Sequence, residues 1–343
     1  MNRVNLGVVG LGRMGRIFSR HLLGMSRVGR LSAIASQRPQ AAREFAQDHD
    51  ADVRIHGTYA GLFADPDIDG VIIATHTHTH HDLVLEAAAA GKAIFCEKPI
   101  ALSLAETDTM LQAVADADVP FQVGFMRRFD AGYRAARKEI AAGAIGRPIL
   151  AQAISRDPGC PDPEWAAPAN SGGLILDLAI HDIDILRWLM GDEVEQVFAH
   201  GAVLTCPDLA AVGDIDTAVI NLRFAGGGLG YVEAARNCTY GYDIRCEIRG
   251  SEGTLQIGYL RDTPLIRLNR MGATHDIVPW FEETFLAAYG AQLDHFALCL
   301  RDGLAPSPGP TDARRALQIG LAATLSQRET RPVDVDDARD LTL

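Results

Sequence analysis

The sequence predicts two domains: an α/β domain with a doubly wound parallel sheet, then an α+β domain with an open, largely antiparallel β-sheet and helices. The chain has 343 residues, which is too long for one ordinary domain. Up to about residue 124, short apolar segments alternate with amphipathic helical segments, as in parallel sheets covered by helices. Beyond that point, segments with a period of two follow one another, which is typical of antiparallel sheets. We therefore place the domains at residues 1–124 and 125–343.

Periodicity gives the elements of each domain in order. The first domain has predicted strands at 4–9, 31–35, 70–74, 93–96 and 120–124, and predicted helices at 14–23, 39–48, 80–90 and 103–116. The second has predicted strands at 148–155, 194–204, 217–224, 229–235, 242–249, 253–258 and 264–269, and predicted helices at 130–142, 172–190, 283–301 and 311–327. We expect one sheet of about six strands in the second domain.

The first strand runs into a glycine-rich turn, Gly10-Leu-Gly12-Arg-Met-Gly15, which precedes a helix. In a dinucleotide-binding turn the first glycine allows the tight turn, the second lets the backbone approach a pyrophosphate, and the third lets helix and strand pack closely. The phosphates would lie at the helix N-terminus, where free N–H groups favour an anion. In this strand–turn–helix context the motif predicts a Rossmann domain that binds a dinucleotide; the alternative is a glycine-rich turn without a ligand.

Composition and charge exclude several classes of protein. The formal net charge of −12 disfavours a nucleic-acid partner, because a polyanion would be repelled. The six cysteines form no Cys-x-x-Cys pair, which favours reduced thiols over a disulfide framework or a zinc site. No apolar run reaches about 18 residues and no signal peptide is indicated, so we expect a cytoplasmic protein without a membrane partner.

Three polar residues in apolar surroundings suggest acid–base chemistry. Asp177 and His181 are one helical turn apart and share a face if residues 172–190 are helical. An Asp beside a His can hold the imidazole in one tautomer and stabilise it once protonated. Lys98 follows a strand, at the edge where parallel sheets bind ligands, and Pro99 restricts its backbone. The alternatives are a core Asp–His pair that braces an interface and a surface lysine.

Several motifs resemble one family over nearly the whole chain. The general motifs are Gly10-Leu-Gly12-Arg-Met-Gly15, Cys96-Glu97-Lys98-Pro99 and Gly-Gly-x-x-x-Asp177-x-x-x-His181-Asp182. Together they resemble the glucose–fructose oxidoreductase / inositol dehydrogenase / MocA-type family. The stretches that resemble bacterial inositol 2-dehydrogenases within it are residues 123–130, 155–159 and 240–248.

The resemblance implies a Rossmann domain followed by a β-sheet domain, an active site in the cleft between them, a cis peptide before Pro99 and, commonly, a homotetramer. It implies Lys98, Asp177 and His181 as catalytic residues and Lys98, Arg128, Asp157, Asp177, His181 and Tyr240 as substrate-binding residues. Asp157 stands where some members have Asn, and Ser155 where some have His. The residues expected to bind the cofactor, from the turn, the strand ends and the resemblance, are Gly10, Gly12, Arg13, Met14, Gly15, Ser36, Arg38, Thr75, His76, Thr77, His80, Glu97 and Lys98.

The cofactor is expected to be NAD(P), and the residues after the second strand favour NADP. NAD enzymes usually carry Asp or Glu there to hold the ribose 2′-hydroxyl, whereas this chain has Ser36-Gln37-Arg38. Ser36 can hydrogen-bond a 2′-phosphate, and Arg38 and Arg13 can pair with its charge. NAD is not excluded, because Arg38 could instead stack on adenine.

The stretch Thr75-His-Thr-His-Thr-His-His81 contains alternating histidines that would share one side of an extended chain. However, the stretch leads from a strand into a helix, and no carboxylate or thiolate cluster completes a set of metal ligands. We therefore predict no metal site.

The leading functional prediction is an NAD(P)-dependent oxidoreductase that oxidises a secondary hydroxyl of a cyclic polyol, myo-inositol or scyllo-inositol, to an inosose by hydride transfer. A dehydrogenase or reductase of an aldopyranose or keto-sugar is the first alternative. The second is a non-catalytic NAD(P)-binding sensor, which would not need Lys98, Asp177 and His181 together.

Overall fold

The computed structural model describes residues 3–25, 27–258, 261 and 263–340. The described chain divides into two compact units. The first comprises the chain up to Met126 together with Tyr289–Arg314, and the second comprises Arg127–Ala288 and the chain from Arg315 onwards.

The first unit contains a six-stranded sheet in which every pair of neighbours is parallel. Its strands are Val4–Val9 (β1), Gly29–Ala35 (β2), Arg54–His56 (β3), Gly70–Ile73 (β4), Ala93–Cys96 (β5) and Phe121–Val123 (β6). Its helices include Arg13–Gly24 (α1), Pro39–Asp48 (α2), Tyr59–Phe63 (α3), His80–Ala89 (α4) and Leu104–Asp116 (α5). The strand order is β3-β2-β1-β4-β5-β6, so the direction of winding reverses between β1 and β4. This order confirms the predicted doubly wound sheet.

The five strands and four helices predicted in this region are present, with ends that differ by no more than two residues. The prediction missed β3 and α3, whose three and five residues are too short to give a period. Both β4 and β5 are fully buried, which is why they are continuous apolar runs in the sequence. Helix α5 begins where Ser103 accepts a hydrogen bond from the Glu106 amide, the N-cap contact of a Ser-x-x-Glu sequence.

The second unit contains a seven-stranded mixed sheet. Its strands are Pro148–Arg156 (β7), Val194–Ala202 (β8), Thr217–Phe224 (β9), Leu229–Ala235 (β10), Asp243–Gly250 (β11), Thr254–Ile257 (β12) and Val333–Asp334 (β15). Their order is β12-β11-β7-β10-β9-β8-β15; β7 and β10 are parallel, and the other neighbours are antiparallel. The largely antiparallel sheet is therefore confirmed.

The predicted strand at 264–269 does not join this sheet. Within it, Arg267–Asn269 (β13) pairs only with Gly272–Thr274 (β14) among the described residues, in a separate exposed hairpin. The two-residue strand β15 takes the edge position instead, and it is too short to be recognised from the sequence.

The helices predicted at 130–142, 283–301 and 311–327 are present, but the one predicted at 172–190 is interrupted, and two four-residue helices, Pro163–Ala166 and Pro168–Ser171, were not predicted. The remaining helices are Ala131–Ala141 (α6), Pro163–Ala166 (α7), Pro168–Ser171 (α8), Ile180–Met190 (α9), Phe281–Asp302 (α10) and Pro310–Glu329 (α11). The helix predicted at 172–190 is not continuous, because Gly172 and Gly173 have positive φ angles of 84° and 72° and a π-helical turn covers Ile175–Ala179 before α9. Such π turns are frequent at functional sites.

The expectation of reduced thiols is wrong for one pair of cysteines. Cys160 and Cys206 form a disulfide across a sequence separation of 46 residues, and Cys96, Cys238, Cys246 and Cys299 are free and buried. The segment around α7 packs on the 3₁₀ turn Pro207–Val212, where Ala166, Cys206 and Leu209 form a small apolar cluster. This tertiary contact, which spacing in the sequence does not reveal, brings the two sulfurs together.

None of the helices in the described parts of the chain combines the length and the apolar character needed to cross a membrane.

Candidate functional site

The three glycines of the turn after β1 have three different steric roles. Gly10 has a φ of 92°, and a Cβ there would lie 2.8 Å from the carbonyl oxygen of Ala74. A Cβ on Gly15 would lie 2.0 Å from the carbonyl oxygen of Gly10, so α1 starts too close to the turn for any side chain. A Cβ on Gly12 would meet no described atom within 4 Å beyond its chain neighbours. The backbone at Gly12 is therefore open to a ligand, as a pyrophosphate requires.

The N-terminus of α1 fits an anion. No side chain among the described residues caps it, and its first turn carries no acidic residue. Its free N–H groups and helix dipole would hold a pyrophosphate. Because β1 and β4 flank the point where the winding reverses, the turn lies at the position where doubly wound sheets bind nucleotides.

The chain after β2 carries the residues expected to read the cofactor ribose. Ser36 is buried, and its hydroxyl accepts a hydrogen bond from the Arg38 amide at 3.1 Å. Because the Ser36 oxygen is the acceptor, the Ser36 hydroxyl hydrogen is not used in this hydrogen bond. The side chains of Arg38 and Arg13 belong to exposed residues.

His80 joins the chain segments that follow β4 and β5. Its ring is buried, with Nδ1 3.0 Å from the carbonyl oxygen of Pro99 and Nε2 3.3 Å from that of Thr75. Burial lowers the pKa of His80 to about 4 despite these two carbonyls. The ring is therefore neutral at pH 7 and donates from one nitrogen only. This contact holds two of the loops that are expected to line the nucleotide site.

The histidines of this stretch do not alternate along an extended chain. Residues Thr77–Thr79 form a 3₁₀ turn, and the rings of His76 and His78 stack with centroids 5.8 Å apart. Within residues 3–25, 27–258, 261 and 263–340, no three His, Cys, Asp or Glu side chains are grouped to hold a metal ion.

Glu97 is a buried acid beside the predicted catalytic lysine. Its Oε2 accepts a hydrogen bond from the Lys98 amide at 3.0 Å, and a Cβ on Gly124 would lie 3.0 Å from its Oε1. Burial raises the pKa of Glu97 to about 7, although the Lys98 charge and amide favour the ionised form. The peptide between Lys98 and Pro99 is cis, as the resemblance implies.

In the second unit, one arginine brings together two of the predicted site residues. Arg236 donates from Nη1 to Oδ2 of Asp157 and from Nη2 to Oδ2 of Asp177, the latter at 2.5 Å. The Arg236 side chain is 4% exposed, whereas each carboxylate is 16% exposed. A buried guanidinium thus holds two carboxylates that are slightly exposed.

His181 is buried in the first turn of α9, four residues after Asp177. Asp177 itself lies in the π turn that precedes α9. Because a π turn holds more residues than an α turn, it changes the direction in which Asp177 projects from that of a regular helix. The sequence prediction of one shared helical face assumed a regular α-helix.

Two other predicted substrate residues belong to separate ion pairs. Arg128 donates to both carboxylate oxygens of Asp184, at 2.9 and 2.6 Å, and both side chains are buried. Tyr240 donates to Asp243 at 2.6 Å and accepts from Arg156 at 2.5 Å. Burial and the hydrogen bond to Asp243 raise the pKa of Tyr240 to about 12, so its hydroxyl keeps its proton. Among the described contacts, neither of these two ion pairs includes Asp157 or Asp177, the carboxylates bonded to Arg236.

Ser155 belongs to a buried network of its own. Its hydroxyl donates to Asp182 at 2.8 Å and accepts from Arg127 at 3.0 Å, while Arg127 also pairs with Asp182. All three side chains are almost completely buried. This network holds Asp182, in the first turn of α9, in place.

Sequence reasoning missed Arg236. It directly follows β10, in which Val232 and Ala234 are fully buried, and its backbone N–H donates to Asp216 at 2.8 Å. A charged residue at the end of an apolar strand was the available signal. Its two partners are 79 and 59 residues away, so no local pattern connects them.

Comparisons with known proteins identify the family. Residues 4–125 match the oxidoreductase family with an NAD-binding Rossmann fold, and residues 133–256 match the GFO/IDH/MocA C-terminal domain. Scyllo-inositol 2-dehydrogenase (NAD(+)) from Bacillus subtilis is 40% identical over 341 residues, which is 99% of each chain. The chain belongs to the GFO/IDH/MocA oxidoreductase family.

Two further proteins are similar to this chain over nearly its whole length. Myo-inositol 2-dehydrogenase from Thermotoga maritima is 36% identical over 335 residues, 97% of this chain and 99% of that protein. Scyllo-inositol dehydrogenase from Lactobacillus casei, solved with bound cofactor NAD(H) and scyllo-inositol, has a TM-score of 0.91 at 28% identity, covering 98% of this chain and 100% of that one. The predicted family is thus confirmed, and the N-terminal domain is an NAD-binding Rossmann domain.

Proposed function

We propose that this GFO/IDH/MocA protein is an NAD-dependent dehydrogenase that oxidises a secondary hydroxyl of myo-inositol or scyllo-inositol to an inosose. The observation that carries the proposal is its 40% identity, over 99% of both chains, to a relative named scyllo-inositol 2-dehydrogenase (NAD(+)). The geometry of Gly10, Gly12 and Gly15 supports a bound dinucleotide. In this proposal residues 1–124 bind the cofactor and residues 125–343 bind the polyol.

The bound nicotinamide supplies a hydride acceptor. The residues proposed to hold the dinucleotide are Gly10, Gly12, Arg13, Met14, Gly15, Ser36, Arg38, Thr75, His76, Thr77, His80, Glu97 and Lys98. Relatives named for NAD favour NAD as the cofactor. The expectation of NADP rests on Ser36, Arg38 and Arg13 alone, and the ratio of activities with the two cofactors tests it.

The proposed chemistry uses a base, its partner and a cation. His181 accepts the hydroxyl proton, Asp177 stabilises the resulting imidazolium, and Lys98 donates a hydrogen bond to the substrate oxygen and orients it. The hydride leaves the carbinol carbon as the proton leaves its oxygen, so the alcohol becomes a ketone. A base that is buried and positioned in advance removes the proton without reorganising water.

Arg128, Asp157 and Tyr240 are proposed to bind the other ring hydroxyls. Asp157 and Tyr240 are partly exposed, and each has an oxygen that can accept a hydrogen bond from a ring hydroxyl. Arg128 has two of its N–H groups bonded to Asp184, so it offers the substrate at most its remaining N–H groups.

We propose a homotetramer in which the uncovered face of the seven-stranded sheet pairs subunits. Burial alternates along β9 and β10, so one face of the sheet is buried while the other remains partly exposed. That outer face carries Val219, which is 42% exposed, and Tyr231, which donates to Gln152 at 2.7 Å. Light scattering coupled to size exclusion should give four times the chain mass of 36.9 kDa; a monomer contradicts the proposal. A cytoplasmic location stays a prediction.

The function is tested by nicotinamide reduction with the purified protein. NAD+ and NADP+ are compared against myo-inositol, scyllo-inositol and a panel of aldopyranoses. Turnover on an inositol is the expected result. Turnover on aldopyranoses alone would move the substrate to another class, and cofactor binding without turnover on any polyol would favour a sensor.

A further inference from the structure

Arg236 connects the proposed substrate-binding carboxylate with the proposed partner of the base, and the inference that follows rests on the proposed function. The guanidinium uses one terminal nitrogen for Asp157, at the end of β7, and the other for Asp177, in the π turn. A guanidinium is a rigid planar fork, so two acceptors bound to its two terminal nitrogens are held at a fixed separation. The ammonium group of a lysine imposes no such geometry.

Other titratable groups interact electrostatically with Asp177. Asp214, which precedes β9, has its pKa raised by burial; Arg236 acts to lower that pKa and Asp177 to raise it. Tyr242, which precedes β11, is fully buried, and the negative charges of Asp157, Asp177 and Asp182 add to burial in raising its pKa. On the helix of Asp177 itself, His181 lies four residues further on.

Because several negative charges surround Asp177, the positive charge of Arg236 is important for keeping Asp157 and Asp177 ionised. Asp182, the fourth carboxylate in this region, already pairs with Arg127. Arg236 is bonded to both Asp157 and Asp177. Burial acts to lower the pKa of Arg236, but the charges of Asp177 and Asp157 and their hydrogen bonds raise it. Removing Arg236 takes away a positive charge that is bonded to both carboxylates, so their mutual repulsion in a poorly solvated site favours protonation of one of them.

We propose that Arg236 is a positioning residue for the oxidation: it keeps Asp157 and Asp177 ionised and at a fixed separation, so that one binds a ring hydroxyl while the other supports the protonated His181. Arg236 itself does not need to touch the substrate. Its effect on catalysis is transmitted through two carboxylates that together orient the polyol and the base.

The test replaces Arg236 with glutamine and then removes the repulsion that this creates. In Arg236→Gln, kcat should fall by about 100-fold, within the range attributed to a positioned general base, while the KM for the cofactor is unchanged. In the profile of kcat against pH, the acid limb, where kcat falls as pH is lowered, should move up by about 1–2 pH units. The reason is that the carboxyl of Asp157 or Asp177 takes up a proton. In the double variant Asp157→Asn/Arg236→Gln the repulsion is gone, so kcat should recover at least about tenfold and the acid limb should return.

A different result would contradict the proposal. If Arg236 is only a packing brace, the double variant is no more active than Arg236→Gln and the acid limb does not move. The matched control is Arg331→Gln, since Arg331 forms an exposed pair with Glu329 at 2.6 Å and should leave kcat and its pH profile unchanged. If Arg236→Gln does not fold, Arg236→Lys decides the question: the retained charge should keep kcat within about tenfold of the natural enzyme, and a loss as large as that of His181→Ala overturns the proposal.

A measurement without turnover separates this proposal from the proposed function. Relative to the natural chain, the unfolding free energy of Arg236→Gln should fall as pH rises from about 5 to 8, because a carboxyl that is protonated in the folded state resists ionisation. Adding Asp157→Asn should remove that pH dependence. If no inositol is oxidised but this pattern is found, the proposed function fails while the role of Arg236 in keeping the carboxylates ionised stands. A difference that is independent of pH overturns that role.

Discussion

Replacing Glu97 with glutamine should remove a pH-dependent loss of stability. Burial raises the pKa of the Glu97 carboxyl from 4.5 to about 7 in the folded chain. The folded state therefore holds a proton that the unfolded state has already released between these values. The favourable contribution is complete below about pH 4.5 and lost as pH rises through about 7. At about 1.4 kcal/mol per pH unit, the loss amounts to about 3 kcal/mol.

The assay is urea unfolding of the natural chain and Glu97→Gln at several pH values from 4.5 to 8.5, followed by circular dichroism. The difference between their unfolding free energies should change by about 3 kcal/mol over this range in favour of the variant at high pH. Other groups, such as His80, titrate in both chains and cancel in the difference. Gln37→Ala, which changes an exposed side chain that does not titrate, is the control and should give a constant difference. A constant difference for Glu97→Gln as well would refute the reasoning.

Two further predictions concern the turn and the disulfide. Gly12→Ala should leave Tm nearly unchanged, because nothing described lies within 4 Å of its Cβ, yet weaken NADH binding measured by fluorescence. Gly15→Ala should lower the unfolding free energy by about 1–3 kcal/mol, because its Cβ would meet a backbone oxygen at 2.0 Å. If Gly12→Ala and Gly15→Ala lowered Tm equally, the different steric roles given to the two glycines would be contradicted. In the oxidised protein, Cys160→Ser should cost about 4 kcal/mol, the loop entropy released by opening a separation of 46 residues from Cys206. Thiol titration of the denatured natural chain should find four of the six cysteines reactive, and six would contradict the disulfide.

The fold could be predicted where a local pattern reflects burial. The strands β4 and β5 are buried on both faces and are therefore apolar throughout, and the alternation along β9 reflects a sheet with one buried face. The short elements β3, α3 and β15 have no local pattern, since tertiary pairing rather than propensity stabilises them. The hairpin of β13 and β14 shows the opposite error: a period of two predicted a strand but not the sheet to which it belongs.

The site could be predicted where chemistry coincides with a motif. The glycines of the turn were assigned individual roles, and each has the surroundings that its role requires. Arg236 could not be predicted, because its meaning comes from Asp157 and Asp177, which reach it from two other elements. The π turn at Asp177 could not be predicted either, since no composition rule distinguishes a π turn from an α turn.

The most direct test of the account is the fate of the carbinol hydrogen. The purified enzyme is given NAD+ and myo-inositol or scyllo-inositol deuterated on its ring carbons, and the reduced cofactor is examined by NMR. We predict one deuterium at C4 of the nicotinamide for each inosose formed, and none of this label after His181→Ala, in which turnover is lost. Deuterium released into water instead, or an inositol that is not oxidised at all, would contradict the account.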